Sequence, residues 1–207
     1  TITGNTVTNL SLTSTATSGI SRSFMGIRTE GGSSFLIENN TVGSSTAYGA
    51  ITITNNMTNC DVYGIAQTMG NAIIRGNTVG GIVFNSNPTL GGGILQMHGM
   101  MVAQAGGSSI VSSTYMTISN NIIGSPTIAN SLYLNVTNTF ISPSPLYYFT
   151  GISGFVLAGT NYIDSNTVAN KGYQSMYGTN SRGIWTQINN IRHNLVHHFG
   201  YGSGISY

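Results

Sequence analysis

The hexapeptide IENNTV at residues 37–42 returns as IRGNTV at residues 74–79 and as IDSNTV at residues 163–168. The copies share an isoleucine, an asparagine three positions later and a valine two positions after the asparagine. If isoleucine may replace the valine, the pattern occurs six times, around Asn5, Asn40, Asn77, Asn121, Asn166 and Asn194. A degenerate copy, ITNNMT, occupies residues 53–58. Self-similarity at intervals of roughly 28 to 45 residues is typical of repeat proteins, in which each repeat adds one structural unit.

A second marker, the dipeptide Gly-Ile, precedes most copies of the hexapeptide, at Gly26-Ile27, Gly64-Ile65, Gly151-Ile152 and Gly183-Ile184. The residues around both markers are β-branched and interrupted by glycine and asparagine, which favours short strands over helices. Only the Met-rich stretch ILQMHGMMVAQAGG, residues 94–107, has a helix-like spacing of apolar residues. We therefore predict an all-β fold, a right-handed parallel β-helix (solenoid) of about six coils with irregular loops, in which Gly-Ile opens a strand.

Stacking of the copies assigns a role to each motif position. The isoleucine and valine would point inward as apolar columns, and the asparagine would bend the chain and bond both the backbone and the next asparagine. Because side chains alternate along a strand, the residue after the motif isoleucine would point outward. In that column Glu38 would face Arg75, unless the degenerate copy lies between them, and Asp164 would face Arg192.

The composition excludes several classes of protein. Charged residues make up 5% of the chain, against about 25% in a typical soluble domain, so neutral hydroxyls and amides must solvate the surface. The six Lys and Arg residues are scattered, whereas nucleic-acid binding needs a clustered basic face. No apolar run is long enough for a membrane span. Cys60 is the only cysteine, which excludes an intrachain disulfide and suits a small buried residue.

The domain organisation also follows from the repeats. Residues 1–207 are predicted to form a single parallel β-helix domain. The first residues, TITGNTV, lie inside a repeat and lack the features of a signal peptide, and Gly204-Ile205 resembles the start of a further repeat. Since no capping segment is visible at either end, we expect the chain to be a segment of a longer protein.

Two stretches carry a family resemblance: GIRTEGGSSFLIENNTV at residues 26–42 and GIWTQINNIRHNLV at residues 183–196. They resemble the parallel β-helix repeats of secreted bacterial proteins, which include the carbohydrate-binding and sugar-hydrolase β-helix group and large repetitive surface proteins. The resemblance covers nearly the whole chain and is weakest at residues 80–117 and 125–150. It implies a secreted or cell-surface location and polysaccharides as common ligands. No catalytic residue of the family has a matching position here.

The chemistry of the acidic residues gives little support to catalysis. A β-helix lyase gathers carboxylates around calcium and uses an Arg or Lys as base, and glycoside hydrolysis needs at least two carboxylates close together. The chain has only Glu30, Glu38, Asp61 and Asp164, of which two are assigned to arginine partners. Serine is abundant and no Ser/His/Asp order stands out. We predict no catalytic residue.

Metal ligands are equally sparse. His193 and His197 could reach one metal ion, with His198 beside them, but no nearby Asp, Glu or Cys completes a ligand set. The Met-rich stretch offers soft ligands for copper in Met97, His98, Met100 and Met101. Methionines also fill irregular cores, which is the interpretation we favour. We predict no metal site and no cofactor.

Aromatic side chains are the best binding candidates, because exposed rings stack on sugar faces. Tyr147, Tyr148, Trp185 and Tyr201 are the candidate glycan contacts; the alternative is that they cover loop bases and the last core layer. Ice binding is not expected, because Ile122 and Leu195 interrupt the column of motif threonines formed by Thr6, Thr41, Thr78 and Thr167.

These observations lead to two hypotheses of function. The first is a non-enzymatic extracellular segment of a bacterial surface protein, a stalk or adhesin that contacts polysaccharide or a cell-surface glycan. Its other partners would be further domains of the same chain or an export or anchoring protein. The second is a glycan-degrading enzyme on the same fold, either a polysaccharide lyase or hydrolase or a phage tailspike. An enzyme would gather carboxylates in a groove, whereas a stalk would scatter them or pair them with arginine.

Overall fold

The computed structural model describes residues 1–15, 20–30, 34–57, 59–68, 70–88, 93–102, 115–137, 146–154, 159–174, 179–186, 188, 190–199 and 203–206. These residues form 22 strands and no helix. Every strand pair among them is parallel. The predicted all-β fold with parallel strands is therefore confirmed.

The strands fall into six repeats, each containing one hexapeptide motif. The first three repeats comprise β1 (Ile2–Thr3), β2 (Thr6–Val7), β3 (Leu10–Ser14) and β4 (Ile20–Thr29); β5 (Ser34–Glu38), β6 (Thr41–Gly43), β7 (Ile51–Asn55) and β8 (Asn59–Gln67); and β9 (Asn71–Arg75), β10 (Thr78–Gly80), β11 (Ile82–Ser86) and β12 (Ile94–Val102). The last three comprise β13 (Tyr115–Ser119), β14 (Ile122–Ile123), β15 (Leu132–Val136) and β16 (Leu146–Gly154); β17 (Thr160–Asp164), β18 (Thr167–Gln174) and β19 (Thr179–Thr186); and β20 (Asn190–Arg192), β21 (Leu195–Phe199) and β22 (Ser203–Ser206).

Each repeat supplies strands to three parallel sheets in the same order. Sheet A has six strands in the order β1-β5-β9-β13-β17-β20, and sheet C has six in the order β4-β8-β12-β16-β19-β22. Sheet B has ten strands in two rows, β2-β6-β10-β14 and β3-β7-β11-β15, which the long strand β18 joins; β21 pairs with β18. Equivalent strands of successive repeats are therefore neighbours in space.

The hexapeptides stack in register and form the centre of the core. Ile37 pairs with Ile74 in sheet A, and Val42 pairs with Val79 in sheet B. All four of these side chains are 0% exposed, as the inward apolar columns predict. The degenerate copy at residues 53–58 begins within β7, in sheet B, so it does not separate the copies in sheet A. One contiguous apolar cluster runs from Phe24 to Ile188.

The Gly-Ile dipeptides lie inside the strands of sheet C, and the prediction that they open strands is wrong. Gly26, Gly64 and Gly151 each face the valine of the next hexapeptide across the core. A Cβ on Gly26 would lie 2.4 Å from Val42 Cγ1, and a Cβ on Gly64 would lie 2.2 Å from Val79 Cγ1. The two sequence markers thus meet across the core, and only glycine leaves room for the contact.

The Met-rich stretch forms strand β12 of sheet C rather than a helix. It contains a Gly-Ile equivalent that the sequence pattern missed, Gly99-Met100, because Met100 pairs with Ile65 of the preceding repeat. Met97 and Met100 belong to the main core, which confirms that methionines fill it. Met101 instead packs with Tyr63 in a small cluster on the other side of the sheet. Cys60 is buried and forms no disulfide.

Candidate functional site

The motif asparagines form a ladder that runs through all six repeats. In each link, the backbone N–H and the side-chain Nδ2 of one asparagine donate to the Oδ1 of the next, over 2.9–3.0 Å. The Nδ2 of Asn77 also donates to Ile37 O at 2.9 Å and Arg75 O at 3.0 Å. Because the interior amides are buried and engaged on both sides, these asparagines hold the repeats in register.

The sharp bend beside the ladder lies one residue before the asparagine, not at the asparagine itself as predicted. This position has a positive φ in every repeat, at Gly4, Asn39, Gly76, Asn120, Ser165 and His193, with angles of 52–69°. Glycine and asparagine adopt this left-handed conformation most readily. Gly4, Asn39, Gly76 and Asn120 fit this preference, whereas Ser165 and His193 adopt the conformation less readily.

The two predicted ion pairs of sheet A are confirmed. Arg75 Nη2 lies 2.8 Å from Glu38 Oε2, and Arg192 Nε lies 2.8 Å from Asp164 Oδ2. His193 Nδ1 lies 3.0 Å from Asp164 Oδ1. The hydrogen bond from His193, together with those from Arg192 and Ser165, lowers the pKa of the Asp164 carboxyl. Both pairs are exposed, so they favour the register more than they stabilise the fold.

The other two carboxylates of the chain occupy different surroundings. Glu30 forms an ion pair with Arg28 at 2.5 Å, and Asp61 lies in sheet C with 9% of its surface exposed. No group of three or more His, Cys, Asp or Glu residues that could hold a metal ion occurs in the described ranges. The ring of His193 bonds Asp164, whereas the ring of His197 contacts His198.

Two of the four aromatic candidates lie together on the outer face of sheet C. The rings of Tyr148 and Trp185 are 6.1 Å apart and nearly parallel, at 5°. Both side chains are half-buried. The Arg182 guanidinium lies 4.2 Å from the centre of the Trp185 ring. Tyr148, Trp185 and Arg182 are called the aromatic patch below.

Tyr147 does not belong to this patch, contrary to the sequence-based expectation. It is 0% exposed and belongs to the main core, beside Leu95 of the preceding repeat. The cause is strand alternation, because neighbouring residues of β16 face opposite sides and Tyr148 takes the outward position. Its ring cannot stack on a ligand that approaches from outside. Tyr201 lies outside the described residues.

A buried polar group in sheet C escaped the sequence analysis. The hydroxyl of Ser153 is 3.0 Å from His98 Nδ1, and His98 Nε2 is 3.2 Å from Gln96 Oε1. The order hydroxyl, imidazole and amide is that of a nucleophile, a base and an orienting group. Burial and the nearby Lys171 lower the pKa of His98 to about 3. An imidazole with so low a pKa is a weak base at neutral pH, and Ser153 is fully buried.

Lys171 occupies a core position that is apolar in the preceding repeats. It pairs with Leu132 in sheet B and donates hydrogen bonds from Nζ to Phe149 O at 2.8 Å and to Arg182 O. Its Nζ also lies 4.3 Å from the centre of the Phe149 ring. Burial lowers the pKa of the Lys171 ammonium well below its ordinary value. These contacts tie sheet B to sheet C, a role that no sequence signal revealed.

No protein-family model matches the chain, and neither a curated protein nor a solved structure matches it. The described part of the chain contains no helix of the length and hydropathy needed to cross a membrane. The functional interpretation therefore depends on the geometry of the chain itself.

Proposed function

We propose that the chain is a right-handed parallel β-helix from a secreted bacterial surface protein, where it acts as a non-enzymatic stalk or adhesin that contacts polysaccharide. The repeated path through sheets A, B and C supports the solenoid, because such a path advances by one strand in each sheet per repeat. Crossover connections between parallel strands of one sheet are almost always right-handed, which supports the hand.

The unbroken asparagine ladder is the observation that carries the proposal. A solenoid has only nearest-neighbour contacts between repeats, so its stiffness depends on how well each repeat is fixed to the next. Here every junction has the same pair of side-chain hydrogen bonds, from Asn5 to Asn194. A continuous column of this kind suits a rigid spacer that holds other domains apart.

The positions of the acidic residues favour a scaffold over the alternative, a polysaccharide lyase, hydrolase or tailspike enzyme. Glu30, Glu38 and Asp164 each have an arginine partner, and Asp61 is buried. Glycoside hydrolysis needs one carboxylic acid and one carboxylate on opposite sides of the scissile bond. The buried Ser153–His98 pair adds no enzymatic candidate, because its imidazole is a weak base.

Polysaccharide contact is supported by the aromatic patch. Parallel rings offer flat apolar surfaces on which sugar faces stack, and the Arg182 guanidinium can donate hydrogen bonds to hydroxyls. Trp185 is the only tryptophan of the chain, so its fluorescence reports directly on this surface.

The test is a binding and turnover assay on the purified chain with soluble bacterial and plant polysaccharides. We expect at least one polysaccharide to shift Trp185 fluorescence and to retard the protein in affinity gels, without releasing new reducing ends. Trp185→Ala should weaken retardation at least tenfold, whereas Tyr48→Ala, which removes an exposed ring on another surface, should not. New reducing ends or unsaturated products would favour the enzyme, and the absence of any binding would contradict glycan contact.

A further inference from the structure

A second surface, on sheet B instead of sheet C, has the form of a binding site. A groove of about 390 Å³ lies along sheet B, at the ends of β7, β11 and β15. Each of three successive repeats contributes two neutral polar residues separated by one position, and the middle repeat also contributes Ser86. We call it the amide groove; its lining residues are Thr54, Asn56, Asn85, Ser86, Asn87, Asn135 and Thr137.

The rows of the amide groove are aligned by the sheet. Thr54 pairs with Asn85, and Asn85 pairs with Asn135, so one side chain per repeat stacks along the groove at the strand spacing of about 4.8 Å. The Nδ2 of Asn135 donates to Asn85 Oδ1 at 3.0 Å. The lining therefore presents a regular series of hydroxyls and amides, and it contains no charged residue.

Two buried polar atoms of this lining have no hydrogen-bond partner. The first is Asn135 Oδ1, which has no donor although the Nδ2 of the same amide donates to Asn85 Oδ1. The second is the hydroxyl oxygen of Ser86, but this side chain is only 2% exposed and shares the inward column of Val136, so it faces the core and not the groove. Buried polar atoms in native proteins are nearly always bonded to protein, water or a ligand. Of the two, only Asn135 Oδ1 belongs to the groove side of sheet B, and its missing donor indicates that a polar group completes this part of the lining.

We propose that the amide groove binds a neutral saccharide chain that lies across the three repeats. Sugar hydroxyls both donate and accept hydrogen bonds, so one hydroxyl could donate to Asn135 Oδ1 while others accept from the amides of Asn56 and Asn87. A charged ligand would find no counter-charge in the lining. The stacked rows repeat along one direction, which matches a polymer better than a compact molecule.

This inference deepens the proposed function and rests on it, because it assigns the class of glycan and a surface other than the aromatic patch. The two surfaces are built on different sheets, the groove on sheet B and the patch on sheet C. They can therefore be removed separately. Asn85→Val and Asn135→Val are suitable changes, because Val83 already lies two positions before Asn85 on the same face of β11. Thr52→Val, on β7 outside the lining, is the matched control.

The test is a titration of ¹⁵N-labelled protein with cellohexaose, mannohexaose, maltohexaose and hexa-N-acetylchitohexaose, followed through the asparagine side-chain amide resonances. We expect at least one neutral probe to shift the Asn85 and Asn135 resonances. Each of these resonances is assigned by its absence from the spectrum of the corresponding variant, Asn85→Val or Asn135→Val. The affinity should fall at least tenfold in Asn135→Val and stay unchanged in Thr52→Val. Hexagalacturonate, a charged probe of similar length, should leave these resonances in place.

The outcomes separate the groove from the proposed function. If none of the asparagine side-chain amide resonances shifted with any of the four neutral probes, the groove would be overturned, even if a variant failed to fold. Saccharide binding that survives both groove variants but is lost in Trp185→Ala would overturn the groove and leave the proposed function standing. Tighter binding of hexagalacturonate to the groove would contradict a neutral ligand. Absence of saccharide binding to both surfaces would overturn both proposals.

Discussion

Replacing Asn77 by alanine tests how much the asparagine ladder contributes to stability. The side chain accepts two hydrogen bonds from Asn40 and donates to Asn121 Oδ1, Ile37 O and Arg75 O. The two hydrogens of Nδ2 serve three acceptors, so about four full bonds are lost. At a net value of roughly 1 kcal/mol for each bond, Asn77→Ala should lower the free energy of unfolding by about 4 kcal/mol.

The magnitude also reflects what the substitution leaves behind. Asn77→Ala deprives the buried backbone N–H of Asn40 of its acceptor at 3.0 Å, and an unpaired buried donor is costly. Asn5→Ala is the matched control at an exposed position of the same ladder. It removes the hydrogen bonds from Asn5 Nδ2 to Thr3 O and Asn40 Oδ1. Asn40 Oδ1 still accepts the hydrogen bond from the backbone N–H of residue 5. Its cost should be about 1 kcal/mol or less.

The assay is guanidinium unfolding at pH 7 and 25 °C, followed by far-UV circular dichroism and by Trp185 fluorescence. Both probes should report a much lower midpoint for Asn77→Ala than for Asn5→Ala. If the two variants differed by less than about 1 kcal/mol, the interior asparagines would not be the groups that hold the repeats together.

Three further predictions concern the core. Gly64→Ala should lower the free energy of unfolding by more than about 2 kcal/mol, because the new Cβ would lie 2.2 Å from Val79 Cγ1 and 2.5 Å from Gly99 O. Gly154→Ala should cost less in the same assay, because the nearest atom to its Cβ is the flexible end of Ile188 at 3.1 Å. Equal costs for the two variants would refute this account of the packing. The pKa of His98 falls to about 3 in the folded state, so between pH 6.5 and pH 3 only the unfolded chain takes up a proton at this residue. The free energy of unfolding should therefore fall by about 1.4 kcal/mol per pH unit as the pH drops through this range. His98→Gln should remove this slope, and an unchanged slope would show that other groups cause it. Burial lowers the pKa of Lys171, so the denaturation midpoint of the native chain should rise with pH up to about 10.5, as the unfolded state loses its extra proton. Lys171→Met restores an apolar side chain to the column of Leu132 and should abolish this rise. A rise that persisted in Lys171→Met would contradict the assignment.

The sequence was sufficient to predict sheet A and its chemistry. The hexapeptide has a fixed length, so the spacing from isoleucine to asparagine to valine defines which residues face inward and which face outward. The outward column that pairs Glu38 with Arg75 follows from that spacing once the degenerate copy at residues 53–58 is known to begin in sheet B, and the ladder follows in the same way. Nothing in the intervening loops is needed, because loops of different length return each copy to the same register.

Sheet C was harder to predict because its marker was placed at the start of a strand instead of inside it. Once Gly151 is known to face inward, counting back by twos along the strand makes Tyr147 an inward residue and Tyr148 an outward one. The same register would have paired Gly99 with Gly151 and placed His98 opposite Thr150. It would not have revealed the hydrogen bond between His98 and Ser153, because Ser153 lies opposite Met101. Met100 in place of isoleucine concealed that repeat.

The most direct test of the account is to detect the ladder hydrogen bonds themselves, by NMR scalar couplings across them. We predict couplings from the backbone nitrogen of each motif asparagine to the side-chain Cγ of the next, as from Asn40 to Asn77 and from Asn77 to Asn121. Their detection in a well-dispersed spectrum would establish the stacking of the repeats in the proposed register. Couplings from the backbone nitrogens of these asparagines to a carbon other than the side-chain Cγ of the next motif asparagine would contradict it.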